Sequence, residues 1–220
     1  SMHQTERYRL MKNAGMDPDS IQKAFHTPQE MRILTYDRGI IDTIMSPYDS
    51  IRWQKSFLRC GFMSMDPHTG YVKAYVGGPD FANFQYDMVT QGRRQVGSTV
   101  KPFLYTLAMS DGKWPCETTI NEPITLIDGN GKEWTPRDTH SKNKGDTVTL
   151  TWGLQNSSNW ISAYLMDQTT PEALVKIMRS FGIQGQLDPV VSLCLGPCEV
   201  SVEEMVGAYT TFANKGIRTE

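Results

Sequence analysis

The sequence predicts an α+β fold in which helices pack on one face of an antiparallel sheet. Two observations carry this. Strand-like segments are gathered in the first part of the chain, and helical spacing dominates from residue 98 onward. Residues 1–30 hold a short charged helical stretch, with turns at Gly15 and Asp17-Pro18. Segments 31–36 and 40–45 alternate as two short strands around Asp37-Arg38-Gly39. Segments 57–65 and 71–77 form a hairpin-like pair across Asp66-Pro67-His68-Thr69-Gly70. Helices are expected at 98–111, 149–156, 159–168, 171–181 and 201–214. The first of them carries the apolar run Phe103 to Met109 and stops at Gly112. The last opens with Ser201-x-x-Glu204, a capping-box pattern, and ends at Gly216.

Composition bounds the function. The chain has 220 residues, enough for one sizeable domain or a domain with an appendage, and 39% of them are hydrophobic. A net charge of −2 with dispersed basic residues gives no electrostatic reason to expect nucleic acid. Arg93-Arg94, the densest basic pair near the candidate site, is read as structural or ion-paired. No apolar run approaches the ~18 residues of a membrane span, and no signal peptide is seen. Histidines are scattered singly at His3, His26, His68 and His140, which argues against a metal site and against a Ser-His-Asp triad, although His140 lies near Asp138. No cofactor is expected. Cys60, Cys116, Cys194 and Cys198 allow three pairings if all are bridged, and Cys194 to Cys198 could close a small loop in an oxidising compartment.

Chemistry concentrates in Gln91-Gly92-Arg93-Arg94-Gln95-Val96-Gly97-Ser98-Thr99-Val100-Lys101-Pro102-Phe103. A serine and a lysine three residues apart sit where a glycine-marked loop gives way to the apolar helix. Residues i and i+3 on a helix lie about 5–6 Å apart at Cβ, so Lys101 is within reach of the Ser98 hydroxyl. Such a pair is a minimal nucleophile and base, and Gly97 lets the backbone bend and approach a ligand closely. The same spacing recurs at Ser20/Lys23, Ser110/Lys113 and Ser141/Lys144, so context must discriminate. Ser20 reads as a helix N-cap, Ser110/Lys113 spans Gly112, and Ser141/Lys144 lies in a polar stretch. Only Ser98/Lys101 opens a long apolar helix. The bland alternative for Ser98 is also an N-cap.

A second element lies downstream. Thr147-Val148-Thr149-Leu150 is extended and leads into Trp152 to Trp160, a helix, a short polar loop and a second helix. The loop carries Ser157-Ser158-Asn159. A hydroxyl and a carboxamide two positions apart can both face one cleft, the first relaying a proton and the second donating to and accepting from a peptide bond. The bland reading is a helix start capped by Ser157 or Ser158, and Ser141-x-Asn143 matches the same pattern.

Gly97-Ser98-Thr99-Val100-Lys101-Pro102-Phe103, with Ser157-Ser158-Asn159 downstream, resembles the transpeptidase domain of class A penicillin-binding proteins. Phe62 to Gly78 is similar to the first hairpin of that domain, and Glu199 to Gly216 to the helix before its later strands. Segment 25–56 is similar to the linker between the glycosyltransferase and transpeptidase halves of a bifunctional protein. The expected division is a linker or appendage at 1–56 and a partial transpeptidase domain at 57–220. The family's Lys-Thr-Gly element has no counterpart: Lys142-Asn143-Lys144-Gly145 is misplaced and lacks threonine. This resemblance implies a penicillin-binding/β-lactamase-like fold incomplete at its C-terminal strands, with only two of the sheet's five strands. It further implies an acyl-serine mechanism that cross-links D-Ala-D-Ala stem peptides of peptidoglycan and is blocked by β-lactams. Ser98 would be the nucleophile and Lys101 the base, with Ser157 as proton relay. Asn159 would hold the substrate, and Gly97 and Ser157 would line its binding site. The parent protein would be anchored on the periplasmic face of the inner membrane. The fragment itself would be weakly active or inactive and would self-associate. Two other readings remain: a penicillin-sensing module acylated without turnover, and a non-catalytic structural fragment.

Overall fold

Capping residues set the element boundaries at the N-terminal end. The computed structural model describes residues 2–138 and 143–219, and the chain divides into two units, Ser1–Arg59 and Cys60–Glu220. In the first unit, α1 (Glu6–Asn13) starts where the Thr5 hydroxyl accepts the Tyr8 N–H. α2 (Pro18–His26) starts where the Asp17 carboxylate accepts the Ser20 N–H, with Pro18 in the first turn. Ser20 therefore receives a cap rather than providing one, because Asp17 is the residue in extended conformation ahead of the proline. Ile21 and Phe25, four residues apart, are buried on one face of α2. β1 (Gln29–Thr35) and β2 (Gly39–Met45) pair antiparallel with Thr35 opposite Gly39. α3 (Pro47–Ser56) follows, with Ser46 accepting from Asp49 N. The linker reading of 25–56 anticipated no helix here, although Ser46-Pro47-x-Asp49 is a start signal.

The second unit opens with β3 (Phe62–Met65) and β4 (Val72–Val76), an antiparallel hairpin. β5 (Arg93–Gln95) leads through a 3-10 turn at Gly97–Val100 into α4 (Lys101–Ser110). Four short strands follow: β6 (Thr118–Ile120), β7 (Leu126–Ile127), β8 (Glu133–Trp134) and β9 (Thr147–Thr149). β6 pairs with β9 and β7 with β8. Then come α5 (Leu150–Gln155), α6 (Asn159–Asp167), α7 (Pro171–Ser180), β10 (Glu199–Ser201) and α8 (Val202–Ala213). β10 returns to pair with β5, and α8 lies against β3. The described strands thus form antiparallel two-stranded ribbons, with helices against them in an α+β arrangement. The five predicted helices all form. Ser201 and Glu204 make the expected reciprocal capping box. β9 falls on the segment expected to be extended, whereas the other strands of the β5–β10, β6–β9 and β7–β8 ribbons, with two or three residues each, are too short for alternation to reveal.

The core fixes α4. Phe103 and Leu104 on α4, Ile161 and Leu165 on α6, and Leu174 and Met178 on α7 are essentially inaccessible. Each such side chain contributes about 1.5–3 kcal/mol by leaving water. The Phe103 ring meets Phe181, Tyr209 and Phe212 at centroid distances of 5.2, 5.8 and 5.3 Å. A helix anchored in this way presents its first turn at a defined position. The four cysteines are free thiols, Cys194 buried and Cys198 half-buried. His140, Ser141 and Lys142 lie outside the described residues, and with them the pairs Ser141/Lys144, Ser141-x-Asn143 and His140 with Asp138.

Candidate active site

The turn before α4 is held by its neighbour strand. Val96 N donates to Cys198 O at 3.0 Å and Gly97 N to Gly196 O at 2.9 Å, extending the β5–β10 ribbon to the start of the turn. Gly97 has φ +54° and Gly196 φ +69°, both in the left-handed region that glycine enters without strain. A Cβ on Gly196 would lie 2.2 Å from Gly97 O, so the close approach of the two segments requires glycine there. Tyr209 on α8 donates its hydroxyl to Thr99 O at 2.8 Å, fixing the turn from the other side. Arg93 pairs with Glu204 at 2.9 Å, the structural role expected of it. Ser98 sits exposed on this turn, and its carbonyl accepts the Lys101 N–H. It caps no helix: α4 begins without a side-chain cap bond, and among the described residues the Ser98 hydroxyl has no hydrogen-bond partner.

The α5–α6 turn supplies the facing wall. Thr149 caps α5 by accepting Trp152 N, and the chain reverses at Ser157 with φ +54°. Such a conformation costs a non-glycine residue about 1–2 kcal/mol and persists only when neighbours impose it. Here they do. Ser158, fully buried, is the N-cap of α6, its hydroxyl accepting Ile161 N and donating to Asp138 Oδ2 at 2.6 Å. Ser157 is left exposed beside it.

Lys101 joins the two segments. It is 1% exposed, an unusual position for a lysine. Its Nζ donates to Ser157 O at 2.5 Å, Asn159 Oδ1 at 2.7 Å and Ser157 Oγ at 3.1 Å, three acceptors for three protons. Asn159 Nδ2 donates to Arg137 O at 2.7 Å, which fixes the carboxamide with its oxygen toward Lys101. Burial disfavours the charged amine and lowers its pKa from 10.5 to about 8, against the opposing pull of Asp138 and Cys194. Burial likewise pushes the Cys194 thiol up to about 12, so that sulfur stays protonated near Lys101.

Of the residues expected from sequence, Lys101, Ser157 and Asn159 come together in one hydrogen-bonded group, with Ser98 one turn away and Gly97 behind it. Lys101 Nζ makes no hydrogen bond to the Ser98 hydroxyl; its three bonds go to Ser157 and Asn159. The α5–α6 turn brings a carbonyl, an amide oxygen and a hydroxyl to the amine, and all three of its protons are taken up there. Sequence reasoning missed Asp138, Gly196 and Tyr209. In the sequence Asp138 stands out only as a neighbour of His140, and its distance from both motifs hides it. The glycine of Leu195-Gly196-Pro197 is a visible turn signal, but nothing in the sequence shows that it touches Gly97.

The sequence matches the family model for the penicillin-binding protein transpeptidase domain over residues 60–220 and that for the penicillin-binding protein middle domain over residues 1–58. It is 36% identical over 159 residues to penicillin-binding protein 1A of Rickettsia prowazekii (strain Madrid E), covering 72% of this chain and 20% of that relative. With penicillin-binding protein 2D of Bacillus subtilis (strain 168) it shares 35% over 166 residues, 75% of this chain and 24% of that one. Among solved structures, penicillin-binding protein 1A from Haemophilus influenzae superposes with a TM-score of 0.63 at 27% identity, over 71% of this chain and 23% of that chain. The chain thus spans about a fifth to a quarter of the length of these relatives. A family match over some three quarters of the sequence, on a fold shared with a solved relative, leads to one conclusion: the chain belongs to the penicillin-binding proteins and carries sequence of their transpeptidase domain.

Proposed function

We propose that this chain is part of a peptidoglycan D,D-transpeptidase that works through an acyl-enzyme on Ser98. The observation that carries the reading is the buried Lys101, with its pKa lowered to about 8, bound to Ser157 and Asn159 one turn after an exposed serine whose hydroxyl makes no hydrogen bond among the described residues. Lys101 acts as a base only when neutral. Of its three partners, the Ser157 carbonyl and the Asn159 amide oxygen only accept, whereas the Ser157 hydroxyl both accepts and donates. The neutral amine therefore keeps two N–H bonds, and its lone pair turns toward hydroxyl groups.

The reaction runs in two halves. Ser98 Oγ forms a bond to the carbonyl carbon between two D-alanines of a stem peptide, and its proton passes to Lys101. The C–N bond breaks, and the proton reaches the departing D-alanine nitrogen through the Ser157 hydroxyl. The amine of a second stem peptide then attacks the ester, reversing the proton path and freeing Ser98. Asn159 holds the substrate backbone, and Gly97 allows it to lie close to the turn. β-Lactams would acylate the same serine because their amide resembles the D-Ala-D-Ala bond. On this reading residues 57–220 are the transpeptidase part and 1–56 an appendage, in a bifunctional protein that also has a glycosyltransferase half. The protein works in the cell envelope on the periplasmic side of the inner membrane. Among the described residues no helix is long and apolar enough to cross a membrane.

The test is acylation of the full-length protein by a fluorescent penicillin followed by peptide mapping. Label is expected on the peptide containing Ser98, and none is expected in Ser98→Ala. Label on Ser20, Ser110 or Ser141, or no label at all, overturns the reading.

A further inference from the structure

Residues 136–138 bind the Ser157–Asn159 turn more extensively than helix capping requires. Asp138 Oδ2 accepts three bonds, from Ser158 Oγ at 2.6 Å, Asn159 N at 2.8 Å and Trp160 N at 3.1 Å. Arg137 O accepts Asn159 Nδ2 at 2.7 Å, and Pro136 O accepts Trp160 Nε1 at 3.1 Å. Three consecutive residues thus grip three consecutive residues of the turn and of the start of α6. A carboxylate accepting backbone N–H groups at a helix N-terminus is in a favourable field. Asn159 is the shared member: its backbone is held by Asp138, its amide nitrogen by Arg137, and its oxygen lies on Lys101.

We infer that Asp138 is a positioning residue of this site, holding the strained Ser157 turn and the Asn159 amide against Lys101 and keeping a negative charge beside the lysine. The inference rests on the acyl-serine reading above. It assigns two separable roles. As an acceptor, Asp138 fixes the geometry of Ser157 and Asn159, and misplacement of a catalytic group by about 1 Å can cost about 10²-fold in rate. As a charge, it favours the ammonium form of Lys101, opposing the burial that favours the neutral form. Cys194, the other titratable group acting on Lys101, is buried, and its thiol is held protonated. Among the described residues Asp138 is the carboxylate whose charge acts on the lysine.

Variants of the full-length protein separate these roles, with the rate of labelling by fluorescent penicillin followed against pH. In Asp138→Asn, which retains an oxygen acceptor, the midpoint of the rise with pH is expected to move down by about one unit, the size of effect a nearby opposite charge exerts. In Asp138→Ala the plateau rate is expected to fall at least tenfold and as much as about 10²-fold, with the melting curve checking that the chain still folds. Asp138→Glu, which keeps the charge, is expected to restore the wild-type midpoint even if its plateau is lower. An unshifted or raised midpoint in Asp138→Asn, or a wild-type plateau in folded Asp138→Ala, overturns the inference while leaving the acyl-serine reading intact. Failure of the wild type to label at Ser98 overturns that reading instead. If Asp138→Ala does not fold, the midpoints of Asp138→Asn and Asp138→Glu decide alone.

Discussion

The lowered pKa of Lys101 makes the pH dependence of acylation the sharpest prediction of this structure. An unperturbed lysine at 10.5 is neutral in about one molecule in 3,000 at pH 7. One at about 8 is neutral in about one in ten, a gain of about 300-fold in competent base. The sign follows from the charge type. Below about 8 the amine is an ammonium and has no lone pair to accept the Ser98 proton. Acylation by a β-lactam should therefore rise about tenfold per pH unit below pH 7, pass its midpoint near 8 and level off above about 9. Lys101→Ala should lower the plateau by about 10²–10⁴-fold, the weight of general-base catalysis, and remove this rise. The assay is stopped-flow acylation of the full-length protein between pH 6 and 10, read as a second-order rate constant. A profile flat across pH 6–9, a midpoint near 10.5, or a nearly silent Lys101→Ala would each refute the role given to burial. With a silent Lys101→Ala, Lys101 would be a structural lysine holding the Ser157 turn.

Four further variants have expected outcomes. Ser98→Ala should abolish labelling while shifting stability by no more than about 0.5 kcal/mol, since the side chain is exposed and unbonded, and thermal melting checks this. Ser157→Ala should slow acylation less than Lys101→Ala, because water can partly replace a relay hydroxyl. Ser157→Gly, relieved of the left-handed strain at φ +54°, should melt no lower than Ser157→Ala. Gly196→Ala should cost about 1–3 kcal/mol or more in denaturant unfolding and should also slow acylation, because the new methyl would press on the backbone of Gly97. An unchanged Gly196→Ala would show that the turn before Ser98 has slack.

The sequence by itself determined what periodicity and local chemistry can encode. The strand pairs β1–β2 and β3–β4 and the five helices from α4 to α8 were legible because each is long enough for an apolar pattern or is punctuated by caps and glycines. Gly97-Ser98-x-x-Lys101 and Ser157-Ser158-Asn159 were legible because each cluster is contiguous in the chain. Tertiary structure alone decided how those clusters meet. That Lys101 turns to Ser157 and Asn159 rather than to Ser98 depends on the distance between α4 and the α5–α6 turn, which core packing of Phe103, Ile161 and Leu165 sets. The pKa of Lys101 depends on burial, which no single position in the sequence expresses. Gly196 and Asp138 act across about 100 and 20 residues, through a backbone approach and a carboxylate aimed at N–H groups. Contacts of that kind leave no local pattern, because the fold and not the neighbouring sequence brings the partners together.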